Sequence, residues 1–151
     1  MASNARTGFA HKLYRNTGSF GSPAWSEVTS VGDLKIPLLD SEANVNTRAT
    51  RFKQFLKGLI ELKPNFTMPY DPTAASDYLA FEAAGQSASA TLDLAFADGP
   101  IATTGTRWIR IPESLIFLGE RDEPLEGAVM QPITAAPKAN ATNQPSFNVS
   151  A

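Results

Sequence analysis

The side chains able to do chemistry are few, and their spacing does not assemble a reaction centre. The single histidine, His11, stands in a stretch rich in Ser, Gly and Asn with no sustained hydrophobic period. A Ser-His-Asp arrangement would have to recruit it from that stretch. One His and no Cys cannot furnish a zinc constellation, and disulfides are excluded. Asp122 and Glu123 are adjacent acids in a Pro-flanked loop, without the spacing or burial that shifts a carboxyl pKa. The same loop lacks the alternating oxygen ligands around a central Gly that an EF-hand needs. Gly18-Ser19-Phe20-Gly21-Ser22 is glycine-rich but has no Gly-Lys-Ser/Thr ending and follows no strand, so it is not a phosphate loop. Asn65, Asn140 and Asn148 begin N-x-Ser/Thr triplets, read as chance matches because the N-terminus shows no signal-peptide apolar region. No cofactor is expected, and the chain does not read as an enzyme.

What remains is equipment for binding. The chain has 151 residues, a net charge of −2 and no apolar run near the roughly 20 residues of a membrane span. That describes one soluble domain with a sizeable core and no strong pull on nucleic acid. The charge is unevenly placed. Arg48, Arg51, Lys53 and Lys57 form a basic segment without an acid, whereas Glu120, Asp122, Glu123 and Glu126 stand against Arg121 alone. Each is either a solvated loop or half of a complementary pair that steers self-association.

The elements that carry these residues are mostly strands. Leu62, Pro64, Phe66, Met68 and Tyr70 alternate with Glu61, Lys63, Asn65 and Thr67, the period of a half-buried strand. Asp71-Pro72 then predicts a helix from Pro72 to Ala84, with Asp71 as N-cap and Gly85 as the stop. Tyr78, Leu79 and Phe81 supply its apolar face, on which Glu82 is an anomaly. Ala90, Leu92, Leu94 and Phe96 alternate with Thr91, Asp93 and Ala95 up to the turn Asp98-Gly99. Earlier, Trp25–Val31 and Leu34–Leu39 read as strands, the second weakened by Pro37. Later, residues 107–118 form a β-prone run interrupted by Pro112, and residues 128–134 a last strand. Residues 40–57 show neither period and read as a long inter-strand loop, which in a compact domain is a functional feature. The expected fold is mainly β, a sandwich or partly open barrel with one flanking helix. It has an N-terminal arm over 1–24, a β domain over 25–138 and a C-terminal tail over 139–151.

The order of these features resembles that of the major tail tube proteins of long-tailed bacteriophages and their relatives in contractile injection systems. The resemblance rests on Glu27-Val28 with Val31 and Asp33, and on the run Glu42-Ala43-Asn44-Val45-Asn46-Thr47-Arg48-Ala49. Met68-Pro69-Tyr70-Asp71, the helix ending at Gly85, Asp98-Gly99 and Glu123-Pro124-Leu125-Glu126-Gly127 also correspond. Thr134-Ala135-Ala136-Pro137 stands where the family closes with Thr-Leu-Lys-Pro. The match covers roughly residues 25–138. It implies a virion structural subunit that forms hexameric rings stacked into a tube, assembled in the host cytoplasm, through which DNA passes without sequence-specific binding. It also implies partners among the tape measure, tail tip and terminator proteins, and no membrane binding by this chain. On that reading the 40–57 loop is the inter-ring element, its Arg48, Arg51, Lys53 and Lys57 meeting Glu120, Asp122, Glu123 and Glu126 of a neighbour. The lumen would be lined by Glu61, Lys63, Asn65 and Thr67, or by Thr91 and Asp93. The alternatives are a component of another injection particle, or a β-sandwich binding module with Trp25, Trp108 and Tyr14 on an exposed shelf.

Overall fold

The computed structural model describes residues 11–44, 55–73, 76–121, 123–139 and 141–151. In chain order these form β1 (Lys12–Asn16), β2 (Trp25–Val28), β3 (Gly32–Lys35), β4 (Leu38–Asn44), β5 (Phe55–Leu62) and β6 (Asn65–Pro69). The helix α1 (Asp77–Gln86) follows, then β7 (Leu92–Ala97), β8 (Arg107–Leu118), β9 (Met130–Pro137) and β10 (Ser146–Val149). Eight strands make one antiparallel sheet in the order β2-β1-β7-β8-β9-β6-β3, with β10 added to β8. The sheet does not close into a barrel. Among the described residues β4 and β5 pair only with each other, as a separate ribbon. The mainly β fold with one helix therefore stands as the alternation required.

The core follows the same alternation. Leu62, Pro64, Phe66 and Met68 are buried, while Asn65 and Thr67 turn to the other face of β6. Leu94 and Phe96 join them with Leu13, Val28, Ile111, Ile116 and Ile133. Helix α1 covers this face through Tyr78, Phe81 and Ala84. Phe81 meets Phe66 edge-on with ring centroids 5.4 Å apart, and Tyr78 meets Tyr70 at 5.3 Å. Such pairs add about 0.5–1.5 kcal/mol beyond the area they bury.

β8 is one strand of 12 residues despite its proline. Leu94 faces Ile111 but Leu92 faces Ser114, so β8 carries one extra residue around Pro112-Glu113. A bulge is where a sheet tolerates a residue without an N–H. Beyond it the pairing opposite β7 passes from β10 to β9.

Six expectations are corrected. The helix starts five residues later than Pro72, because Ser76 caps it by accepting from the Leu79 N–H at 3.3 Å. Asp71 instead accepts from the Thr73 N–H at 2.9 Å, closing a local turn. Gly85 does not stop the helix, which runs on to Gln86. Within residues 1–24, Lys12–Asn16 is no arm but an internal strand between β2 and β7. Leu13 and Tyr14 are both buried, one on each face, which erases the alternation that would have marked it. In the tail, Ser146–Val149 is a strand on β8 whose Phe147 and Val149 stay exposed, so it shows no buried period. Finally, much of the expected 40–57 loop is the ribbon: Leu38 faces Leu62 and Asn44 faces Phe55. The expected second strand, Leu34–Leu39, is split at Ile36-Pro37 between β3 and β4.

Candidate assembly interface

The proposed lumen residues fall into two sets with different fates. On β7, Asp93 accepts two bonds from Arg110, at 3.1 Å from Nε and 2.6 Å from Nη2, and one from Asn16 Nδ2 at 2.8 Å. The ion pair is only 11% and 13% exposed. Arg110 is itself enclosed: Phe20 lies 4.3 Å and Trp25 5.1 Å from its guanidinium, and Nη2 donates to the Phe20 carbonyl at 3.0 Å. The Asp93 charge is consumed in pinning the 17–24 segment to the sheet and is not offered to a channel. Thr91, just before β7, is half-buried. Trp25 and Trp108 pack edge-on at 5.6 Å over Tyr14, Ala95 and Ala97, so they do not form an open shelf.

The other set stays available. Glu61 and Lys63 are exposed and paired with each other at 2.6 Å, which leaves that spot near neutral. Asn65 and Thr67 follow on the face of β6 away from the core, half-buried, Thr67 donating to the Gly32 carbonyl at 3.2 Å. Asn65 faces Thr134 on β9, and Thr134 faces Phe117 on β8. The result is a row without net charge across three strands.

Among the described residues, the sheet's two ends, β2 and β3, leave unpaired edges. Beside β3 lies a mostly apolar groove of about 370 Å³, between Leu34 and Ile36 on one side and Phe96, Ile109, Phe147 and Val149 on the other. Free strand edges are templates for pairing with another chain.

The acidic stretch lies between β8 and β9. Its ends are fixed by the Gly119 N–H donating to the Pro132 carbonyl at 2.9 Å and the Tyr70 N–H to the Val129 carbonyl at 2.8 Å. Gln131 Nε2 donates to the Gly119 carbonyl at 2.8 Å. Arg121 ties down the middle. It pairs with Glu123 at 2.7 Å and lies 4.9 Å from the Tyr70 ring. The Tyr78 hydroxyl beside it, helped by Glu123, raises its pKa from the usual arginine value. Burial pushes the Tyr78 phenol up, against the opposing pull of Arg121. Glu120, Glu123 and Glu126 are exposed. Asp122 lies outside the described residues, as do Arg48, Arg51 and Lys53. Lys57 lies on β5 opposite Glu42. Glu82 is half-buried on α1 and accepts from Gln86 Nε2 at 3.2 Å. In the sequence Arg121 is a lone base among acids, and the aromatics it engages, Tyr70 and Tyr78, lie far from it along the chain, so no local pattern marks it.

No family model matches the chain, and no curated protein matches it by sequence. Solved structures do. A chain in the tail of an empty GTA particle, refined with C6 helical symmetry, superposes with a TM-score of 0.65 at 8% identity, covering 97% of this chain and 100% of that one. The chain has the fold of a tail-particle protein. A chain of the PVC sheath-tube complex, an extracellular contractile injection system, gives 0.62 at 6% identity over 97% and 93% of the two chains. A chain from the virion of a native gene transfer agent gives 0.62 at 10% identity, over 96% of this chain and all of the other.

Proposed function

We propose that this protein is a structural subunit of a tail tube, residing in the virion tail, whose copies join side by side into hexameric rings that stack into a channel for DNA. The observation that carries the reading is the near full-length match to a chain from a C6-symmetric tail. The open sheet gives it a physical route. Edges that pair head-to-tail around an axis make a heterologous interface, which closes into a ring. The row of Asn65, Thr67 and Thr134, beside the self-neutralised Glu61–Lys63 pair, is the face we assign to the lumen, since it offers a polyanion nothing to grip. Rings stack through Arg48, Arg51, Lys53 and Lys57 against Glu120, Asp122, Glu123 and Glu126 of the next ring. Each exposed pair contributes about 0–1 kcal/mol, which sixfold repetition multiplies and salt weakens. Tape measure, tip and terminator proteins would cap and fill the tube. The likeness to the PVC sheath-tube chain supports the same role in a contractile particle.

Negative-stain microscopy of the purified protein tests the assignment. Tubes or sixfold rings are expected, and monodisperse monomers at high concentration would refute it. Arg48→Glu with Arg51→Glu is expected to leave rings but shorten or abolish tubes; tubes of unchanged length would remove the charge contact.

A further inference from the structure

A fully exposed leucine at the tip of a tethered loop is an unexplained feature of this surface. Leu125 is 103% exposed, whereas the loop that carries it is fastened at both ends and in the middle. Pro124 and Gly127 shape the turn; Gly127 has φ +111°, which a side chain would strain. Arg121 ties the loop down through the ion pair with Glu123, its position over the Tyr70 ring and its interaction with the Tyr78 hydroxyl. Tethering a loop costs conformational entropy, and among the described residues none covers the side chain that it displays. Pre-ordering of that kind favours binding, because the entropy is lost before the partner arrives.

We propose that Arg121 is a latch that presents Leu125 as the apolar anchor of a contact with a second copy of this chain, received on its β4–β5 ribbon at the half-exposed Leu38 and Ile60. This rests on the tube reading and names a contact within it. Leu38 faces Leu62 and Asp40 faces Ile60, so Leu38 and Ile60 are diagonal neighbours on the face of the ribbon whose Leu62 enters the core. Each is 49% exposed. An isolated two-stranded ribbon is marginal in water, so this one gains from being covered. Charge selects the same partner. Glu120, Glu123 and Glu126 flank Leu125 in the sequence, and residues 48–57, which run up to and into β5, carry four bases and no acid. The charges set the approach of the two copies, and the leucine, once desolvated, supplies the hold.

Leu125→Ser separates these roles. The side chain is fully exposed, so the urea midpoint of dispersed protein is expected to be unchanged. The critical concentration for polymerisation is expected to rise about tenfold or more, the loss of a buried leucine at each contact. Arg121→Ala keeps Leu125 but frees the loop; faster hydrogen exchange at 119–129 in dispersed subunits and a smaller rise in critical concentration are expected. Because the chain has no cysteine, a mixture of Leu125→Cys and Leu38→Cys proteins should give a disulfide dimer upon assembly that neither gives alone. Wild-type tubes with Leu125→Ser polymerising at the wild-type concentration would overturn the anchor alone. Tubes without the mixed disulfide would overturn the ribbon as its receiver. A wild-type protein that stays monomeric would overturn both this contact and the tube assignment.

Discussion

Gly85→Ala sets two effects of opposite sign against each other. Replacing Gly by Ala inside a helix stabilises by about 0.8–1 kcal/mol, and less in a last turn such as this one. A Cβ on Gly85, however, would lie 2.5 Å from Leu118 Cγ, 2.8 Å from Cδ1 and 3.0 Å from Cδ2, well inside the ordinary contact range of 3.4–4 Å. Leu118 is on β8, so the only relief is to move the helix off the sheet or force Leu118 into another rotamer. Overpacking of this kind costs about 1–3 kcal/mol. The net expectation is a loss of about 0.5–2.5 kcal/mol, or a few degrees in Tm for a domain of this size. Urea unfolding of dispersed subunits measures it. The control is Gly85→Asn. If the glycine were a left-handed C-cap, Asn would be tolerated better than Ala. If Leu118 is the reason, Asn is worse than Ala, and Leu118→Ala should recover part of the loss in a double-mutant cycle. A Gly85→Ala protein more stable than wild type, or Asn ranking above Ala, would refute the packing account.

Asp93→Ala is expected to cost about 3–5 kcal/mol, because it strands the enclosed Arg110 charge, while Asp93→Leu with Arg110→Met should come close to wild type; calorimetry of the two variants checks the contrast. The raised pKa of Tyr78 has a definite sign. The folded protein keeps the phenol proton at pH values where the unfolded chain, titrating near 10.0, has lost it. Stability should therefore be insensitive to this group below that value and fall as pH rises through the folded pKa. Arg121→Ala removes the charge that opposes burial, so the slowest phenolate to appear in near-ultraviolet absorbance should appear at still higher pH.

Much of the core was legible because a sheet covered on one face writes itself as a period of two. Leu62, Pro64, Phe66 and Met68 needed only their spacing to be placed inside. β1 was hidden for the opposite reason: with Leu13 inside and Tyr14 under the aromatic cluster, both faces are buried and no alternation survives. β4 and β5 were hidden because Leu38, Leu39 and Ile60 are exposed, so the pattern followed no core. Among the site residues, the two lumen sets were indistinguishable on the strand pattern. Asp93 and Glu61 alternate alike, yet one is enclosed with Arg110 and the other is paired at the surface with Lys63.

The sequence by itself determined the class of the fold, the absence of thiolate chemistry and the alternating residues that fill the core. These depend on residue type and local period, which the chain carries wherever it goes. Only the tertiary structure decided that Gly85 packs against Leu118, that Asp93 is neutralised by Arg110, and that Arg121 lies over the Tyr70 ring. Each of these joins residues on different elements, and such contacts exist only once the sheet has brought the elements together.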